Sequence, residues 1–300
     1  MGRETASAVL ARPPRPGDVL ELLKPVTWFP PMWAFFCGVV SSGAPVAERL
    51  PFLLGGVLLA GPLVCGTSQA VNDWFDREVD AINEPHRPIP SGRVPGRWGL
   101  GIALSGSIVS LGVAALLGPW VLAAAALGLF LAWAYSAPPL RLKRNGWWGP
   151  AACAFAYEGL TWFTGAAVML GGLPPAPVLL LAALWAAGAF GIMTLNDFKA
   201  VAGDRRMGIA SLPVVLGERP AALLACGVML AAQVAVIGLL LLWGLRPAAA
   251  VIGAFALLQL LAMRRLLKNP AVHTRWFNGT GIALYVLGML VSAISVRSLG

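Results

Sequence analysis

From Trp98 to Leu140 the chain carries no charged residue. That run is about twice the ~20 apolar residues that cross a hydrocarbon core, so it must fold back on itself. Gly118-Pro119 is the break at which it can turn. Asn145–Asn196 poses the same constraint, with Glu158 as its one charge and Gly171-Gly172-Leu173-Pro174-Pro175 as its break. Further uncharged runs are Pro25–Ala47, Leu50–Asn72, Pro220–Leu245, Pro247–Met263 and Trp276–Val296. Only 12% of residues are charged, against about 25% in a soluble domain, so the soluble globular class is excluded. The runs predict an all-α polytopic membrane protein: nine transmembrane helices around one central chamber, over 25–42, 52–72, 99–117, 120–137, 149–170, 177–197, 220–243, 247–264 and 277–297. Residues 1–24 lack the apolar stretch of a cleaved signal and read as a cytoplasmic N-terminal tail, with 25–300 as a single nine-helix domain.

Orientation follows from lysine and arginine, which accumulate on the cytoplasmic side. Of the 22 such residues, all but Arg49, Arg246 and Arg297 lie in the N-terminal segment or after an even-numbered helix. The N-terminus is therefore expected in the cytoplasm and the C-terminus on the opposite side. The net charge of +9 is a topology signal and an attraction to anionic membrane lipid; no nucleic-acid partner is expected. The four cysteines, Cys37, Cys65, Cys153 and Cys226, show no metal or disulfide spacing and read as small buried hydrophobes.

Against this background "NDWFDREVD" at 72–80 stands out. Asn72, Asp76 and Asp80 recur every four residues, and Asp73 falls between them, so a helix carries them as one stripe. Like charges ~4 Å apart repel by about 4 kcal/mol at an effective dielectric of 20, which a bound cation relieves. Oxygen donors select a hard ion such as Mg²⁺. Read alone, a solvated helix end explains the stripe equally well. A second stretch, "NDFKAVAGD" at 196–204, favours the cation: Asn196, Asp197 and Asp204 repeat the offsets of Asn72, Asp73 and Asp80, with Ala200 in place of Asp76. Both copies follow an even-numbered helix, so the bundle is expected to join them into one site with five aspartates. Arg77, Arg87, Lys143, Arg144, Lys199, Arg205 and Arg206 lie on the same side. Carboxylate-held Mg²⁺ ringed by bases suits a diphosphate, and an apolar bundle beneath suits a hydrocarbon tail. Together they point to an isoprenyl diphosphate whose diphosphate departs with Mg²⁺ assistance in a chamber closed to water.

At this point the chain resembles a known family. N-D-x-x-D-x-x-x-D is similar to the first acidic motif of the UbiA-type membrane prenyltransferases. "LLKPVTWFPPMWAFFCG" (22–38), "NDWFDREVDAINEPHRPIPSG" (72–92), "YSAPPLRLKRNGWWGP" (135–150), "YEGLTWFTGAA" (157–167) and "NDFKAVAGDRRMGIASLPVVLG" (196–217) narrow the resemblance to the chlorophyll and bacteriochlorophyll synthases. The resemblance implies that the C17 propionate of (bacterio)chlorophyllide is esterified by phytyl or geranylgeranyl diphosphate, with release of diphosphate. By motif match it implies that Asn72, Asp73, Asp76 and Asp80 hold one Mg²⁺ and that Asn196, Asp197 and Asp204 serve another. Arg77, Arg87, Lys143, Lys199 and Arg205 become diphosphate contacts. Ala202 stands where relatives usually carry an acid, which opens the second ligand set. The short single-domain wording favours bacteriochlorophyllide as acceptor, in the cytoplasmic (photosynthetic) membrane, with pigment-biosynthesis or photosystem-assembly proteins as partners. Prenylation of a quinone precursor or haem is the nearest alternative, and a cation-coupled secondary transporter is the alternative of another class.

The substrate pocket is expected from Trp28, Trp33, Tyr135, Tyr157, Glu158 and Trp162. Glu158 is an intramembrane acid, a default functional candidate, set against a buried hydrogen bond to a neighbouring helix. Tyr135 and Ser136 end a helix beside the acids. Most of the 12 tryptophans read as interface anchors or packing, with Trp28, Trp33, Trp74 and Trp162 as candidate walls. His86 and His273 read as polar loop residues, with chlorin ligation by His86 as the sharper alternative.

Overall fold

The computed structural model describes residues 12–299, and every regular element among them is helical. The helices are α1 (Pro16–Leu22), α2 (Phe29–Ser41), α3 (Leu50–Leu58), α4 (Gly66–Asn83), α5 (Trp98–Leu117), α6 (Pro119–Ser136), α7 (Trp148–Ala154), α8 (Thr161–Leu170), α9 (Ala176–Asn196), α10 (Val201–Met207), α11 (Leu212–Val215), α12 (Glu218–Leu242), α13 (Arg246–Leu266) and α14 (Pro270–Val296). The expected breaks are real turns. Gly118, at φ 126°, separates α5 from α6, and Gly171, at φ 67°, ends α8; these are backbone conformations that favour glycine.

Among the described residues, seven stretches are long and apolar enough to cross a membrane by length and composition: Ala47–Asn83, Trp98–Leu117, Pro119–Ser136, Ala176–Lys199, Glu218–Leu242, Arg246–Leu266 and Pro270–Leu299. The expected count of nine is not reached by that measure. The other two predicted spans are helical but depart from a regular crossing. Helix α2 has 13 residues, fewer than the ~17 of a short span. The region 149–170 is divided into α7, a π-helical turn at Phe155–Leu160 and α8, with Glu158 in its middle.

A second π-helical turn, Leu59–Cys65, joins α3 to α4 and contains Pro62. Proline lacks an N–H, and its ring would collide with the carbonyl four residues earlier in a straight α-helix. Widening the turn accommodates it. Neither π turn is visible in the hydropathy of the sequence.

Small residues set the helix packing, as they do where lipid supplies no hydrophobic drive between helices. A Cβ on Gly38 of α2 would collide with the Trp162 carbonyl, and one on Gly165 of α8 with the Phe35 carbonyl, so these two helices cross backbone to backbone. Helix α9 runs through the largest buried cluster. There Trp185 meets Tyr285 edge to face with ring centroids 4.7 Å apart, and the Tyr285 hydroxyl donates to the Trp185 carbonyl at 2.7 Å.

Composition alone set residues 1–24 apart as a tail, and the described part of that stretch, 12–24, packs against the bundle. Leu22 is fully buried in a cluster with Ala70, Val71, Val94 and Ala103. Arg93, after α4, grips α1 through Asp18 (2.8 Å) and both carboxylate oxygens of Glu21 (2.5 and 2.7 Å). This fastening delivers Lys24 to the first acidic motif. The remainder of the stretch, 1–11, lies outside the described residues.

Candidate active site

The stripe at 72–80 forms as its spacing requires, on the unbroken last turns of α4. Asp73 is 1% exposed and Asp80 6%. Charges this deep need partners, and bases from distant segments supply them. Lys24 donates to Asp73 Oδ1 at 2.6 Å. Arg87 lies 2.8 Å from Asp80 Oδ2 and 3.6 Å from Asp73 Oδ1. Lys143 donates to Asp76 Oδ2 at 2.5 Å, and Arg141 approaches Asp76 Oδ1 at 3.4 Å. Asp73 Oδ2 is buried without a hydrogen-bond partner. Asn72 donates to the Ser136 hydroxyl at 3.2 Å, which leaves its own carbonyl oxygen as an acceptor.

The second motif does not repeat the helical stripe of the first. Helix α9 stops at Asn196, a tight turn spans Asp197–Lys199, and α10 restarts at Val201. Asn196 is thereby turned aside: its amide contacts Met193 Sδ at 3.9 Å, and it does not line the cleft. Asp197 and Asp204 do line it. Asp204 is 7% exposed and accepts a hydrogen bond from the Ser211 hydroxyl at 2.7 Å. The Asn145–Ala210 bridge, with Gly146 N–H bonded to the Ala210 carbonyl at 2.8 Å, ties the loop after α6 to the loop after α10.

Four acids of the two motifs thus face one cleft of ≈ 660 Å³, with Asn72, Asp76, Asp80, Asp197, Asp204, Arg87, Arg141, Lys143, Arg144 and Tyr135 in its wall, while the expected Asp73 lies outside that wall, paired with Lys24. Below it lies a mainly apolar cavity of ≈ 240 Å³, lined from both π turns (Leu59, Ala60, Val64, Ala156, Tyr157, Leu160) and from α6 (Ala124, Ala125, Gly128). Asn72 and Tyr135 belong to both walls, so the polar cleft and the apolar cavity adjoin at these two residues. Burial pushes the Lys143 ammonium below its usual pKa, with Asp76 pulling the other way. Burial raises the Asp204 carboxyl, against the Ser211 hydrogen bond. Arg87 loses solvation too, but Asp80 and Asp73 more than offset this and hold its charge. Among the described residues no group of three or more His, Cys, Asp and Glu is gathered as a metal cluster.

Several expected site residues are elsewhere. Arg77 folds back over the Trp74 ring at 4.4 Å and donates to the Trp74 carbonyl, away from the cleft. Lys199 and Arg205 are exposed and outside the cleft wall. Trp162 is fully buried and donates to Ser41 Oγ at 3.1 Å, so it is core and not pocket wall. Trp33 donates to the Val286 carbonyl at 3.2 Å and Trp28 to the Leu23 carbonyl at 2.8 Å, and neither lines the cavity. Glu158 is 5% exposed, with Oε2 unpartnered, and is also outside the cavity wall. Tyr135 and Tyr157 are where they were expected; Gln69 donates to the Tyr157 hydroxyl at 3.1 Å. His86 is exposed beside Glu84 at 3.5 Å.

Arg141, Ser211, Gln69, Cys65 and Cys153 line the cleft or the cavity, and Lys24 pairs with Asp73, although none of the six was a candidate site residue. Gln69 carried a signal, lying one turn before Asn72 on the same helix face. Lys24 and Arg141 read only as topology charges.

The sequence profile of the UbiA prenyltransferase family matches residues 27–293, and the chain belongs to that family: it is an integral membrane prenyltransferase. Among curated relatives it is 57% identical over 286 residues to the bacteriochlorophyll synthase 33 kDa chain of Cereibacter sphaeroides, covering 95% of each chain. It is 36% identical over 287 residues to the chloroplastic chlorophyll synthase of Oryza sativa subsp. japonica, covering 92% of this chain and 76% of that one. The solved structure of a UbiA homolog from Archaeoglobus fulgidus bound to GPP and Mg²⁺ shares the fold with a TM-score of 0.71 at 18% identity, over 91% of this chain and 99% of that one.

Proposed function

We propose that this prenyltransferase esterifies the propionate of a chlorin acid, bacteriochlorophyllide before chlorophyllide, with a C20 prenyl diphosphate, phytyl or geranylgeranyl. The observation that carries the reading is the junction at Asn72 and Tyr135, where a cleft lined by acids and bases adjoins an apolar cavity. A prenyl diphosphate is polar at one end and apolar at the other, and the junction falls where C1 joins the two. The greater identity to a bacteriochlorophyll synthase (57%) than to a chlorophyll synthase (36%) supports the choice of acceptor.

The donor set fits a hard divalent cation. Asn72, Asp76, Asp80, Asp197 and Asp204 offer oxygen to one cleft, and buried Asp73 Oδ2 has no hydrogen-bond partner. Mg²⁺ is commonly held by one or two carboxylates, substrate phosphates and water, so a protein cluster of three acids is not required. Bound there, Mg²⁺ would neutralise charge on the departing diphosphate. The chain's own bases do the rest. Arg87 and Lys143, each paired with a motif acid in the cleft wall, are positioned to bind diphosphate oxygens when the acids take the cation. Tyr135 holds the junction between the two spaces, and the cavity excludes water from C1. The C1–O bond to diphosphate breaks, a carboxylate oxygen forms the new bond to C1, and diphosphate leaves with the electron pair. A carboxylic acid with pKa near ~4 is already ionised, so no general base is needed. By the lysine and arginine bias, this chemistry faces the cytoplasm.

The test is an assay of membranes containing only this protein, given each of the two chlorophyllides with each of the two diphosphates, and separation of the pigments. Esterified bacteriochlorophyllide is the expected product, and the donor arms show which tail is used. Prenylation of 4-hydroxybenzoate or homogentisate instead, with no chlorin ester, would leave the family and remove the acceptor.

A further inference from the structure

We propose that Arg141 is the specificity residue that receives the acceptor's carboxylate; this rests on the carboxylate-acceptor reading above. Arg141 is one of two described non-glycine residues with positive φ, at φ 41° and ψ 54°. The conformation is fixed from both sides: its N–H donates to the Ala137 carbonyl at 2.9 Å, and its carbonyl accepts from Arg144 N–H at 3.0 Å. A left-handed arginine persists only where its surroundings over-determine it, and such residues gather at functional sites. Here the turn puts the guanidinium into the cleft wall, just past the helix end that carries Tyr135.

What the guanidinium meets there is incomplete. Its Nε is buried without a hydrogen-bond partner. One Nη lies 3.4 Å from Asp76 Oδ1, while the other Asp76 oxygen is held by Lys143 at 2.5 Å. Asp76 is therefore neutralised by the lysine. Arg87, paired with Asp80 and Asp73, is assigned to the diphosphate above, as is Lys143, and Arg144 is exposed at the rim. Arg141 remains as the part-buried base of the cleft with an unsatisfied donor. Arginine's planar edge matches the two oxygens of a carboxylate, whereas lysine offers a point charge. Paired with this edge, the carboxylate keeps a further lone pair on each oxygen with which to attack C1. A neutral acceptor offers this edge no charge-assisted pair, so the edge selects for acids.

The test uses the full-length protein in lipid nanodiscs. Binding of the chlorin free acid and of its methyl ester is followed by chlorin fluorescence, and KM is measured for the prenyl diphosphate. Arg141→Gly is the informative variant, because glycine adopts φ 41° freely and the turn should survive with an undiminished Tm. Wild type is expected to bind the acid at least tenfold more tightly than the ester. Arg141→Gly should bind both alike, and Arg141→Lys should fall between, with the prenyl diphosphate KM within twofold throughout. Retention of the acid preference in Arg141→Gly overturns the assignment. So does a raised prenyl diphosphate KM with acceptor binding unchanged, which would place Arg141 on the leaving group. Equal binding of acid and ester by wild type removes this inference alone; no binding of either chlorin removes the acceptor reading with it.

Discussion

Replacing Asp73 by asparagine changes one charge and almost no volume. In the structure Asp73 is 1% exposed, holds Lys24 at 2.6 Å and lies 3.6 Å from Arg87. A unit charge acting over ~4 Å at an effective dielectric of 20 is worth about 4 kcal/mol, a ceiling of roughly 10³ in rate. The remaining oxygen donors retain part of the cation's hold, so a loss of about 10²- to 10³-fold in turnover is expected. The fold should suffer less. Breaking a buried ion pair costs ~3–5 kcal/mol, but the Lys24 and Arg87 side chains are 22% and 29% exposed and can turn to water. That reduces the expected cost to about 1–2 kcal/mol, a shift of a few degrees in Tm. Ester formation is measured by pigment separation and Tm by intrinsic fluorescence on the same preparation. Turnover within tenfold of wild type, in a variant that expresses and melts normally, would refute the role given to Asp73 in holding the cation.

Chelation should abolish turnover, Mg²⁺ should restore it and Mn²⁺ restore it in part, as oxygen ligands permit; full activity in EDTA sinks the metal. Burial raises the Asp204 pKa, so its proton competes with the cation as pH falls, and the rise in Tm on adding Mg²⁺ should be larger at pH 8 than at pH 5. An equal or larger gain at pH 5 would contradict the role given to Asp204. Gly128→Leu should shorten the accepted tail, since a Cβ there already meets Val64 and Leu160 at 3.7 and 3.8 Å; an unchanged preference between C10 and C20 donors would mean the tail lies elsewhere. Glu78→Cys and Ala202→Cys, both exposed, should be labelled from the cytoplasmic side by an impermeant thiol reagent, and labelling from opposite faces would break the one-site arrangement.

The helical architecture was legible because a membrane leaves a coarse mark: charge-free runs and their glycine-proline breaks. The stripe at Asn72–Asp80 was legible because helical spacing places side chains without help from the rest of the fold. The second motif was only half legible. Its offsets predict the same stripe, but α9 ends at Asn196 and the chain turns at Asp197, so Asp197 and Asp204 reach the cleft while Asn196 does not. Pairings such as Lys24–Asp73 and Arg141–Asp76 join residues 49 and 65 positions apart, a separation at which one sequence carries no pairing signal. The tryptophans misled for a related reason. Ring type says that Trp33 and Trp162 are buried or interfacial, but only packing decides whether they face a cavity or Val286 and Ser41.

The π turn at Leu59–Cys65 forms part of the cavity wall and precedes the acid stripe on one continuous helical run. An α-helix advances about 100° per residue, and a π turn takes about one residue more to close than an α turn, so the form of that turn sets the phase of everything after it. Straightening it to plain α-helix at unchanged length would leave Asn72, Asp73, Asp76 and Asp80 intact on a sound helix. It would also swing them about 100° away from Lys143, Arg87 and the second motif. Losing one residue in the same step would bring them back. The turn therefore makes the form of a distant stretch of backbone, as distinct from the identity of the acids, a determinant of activity.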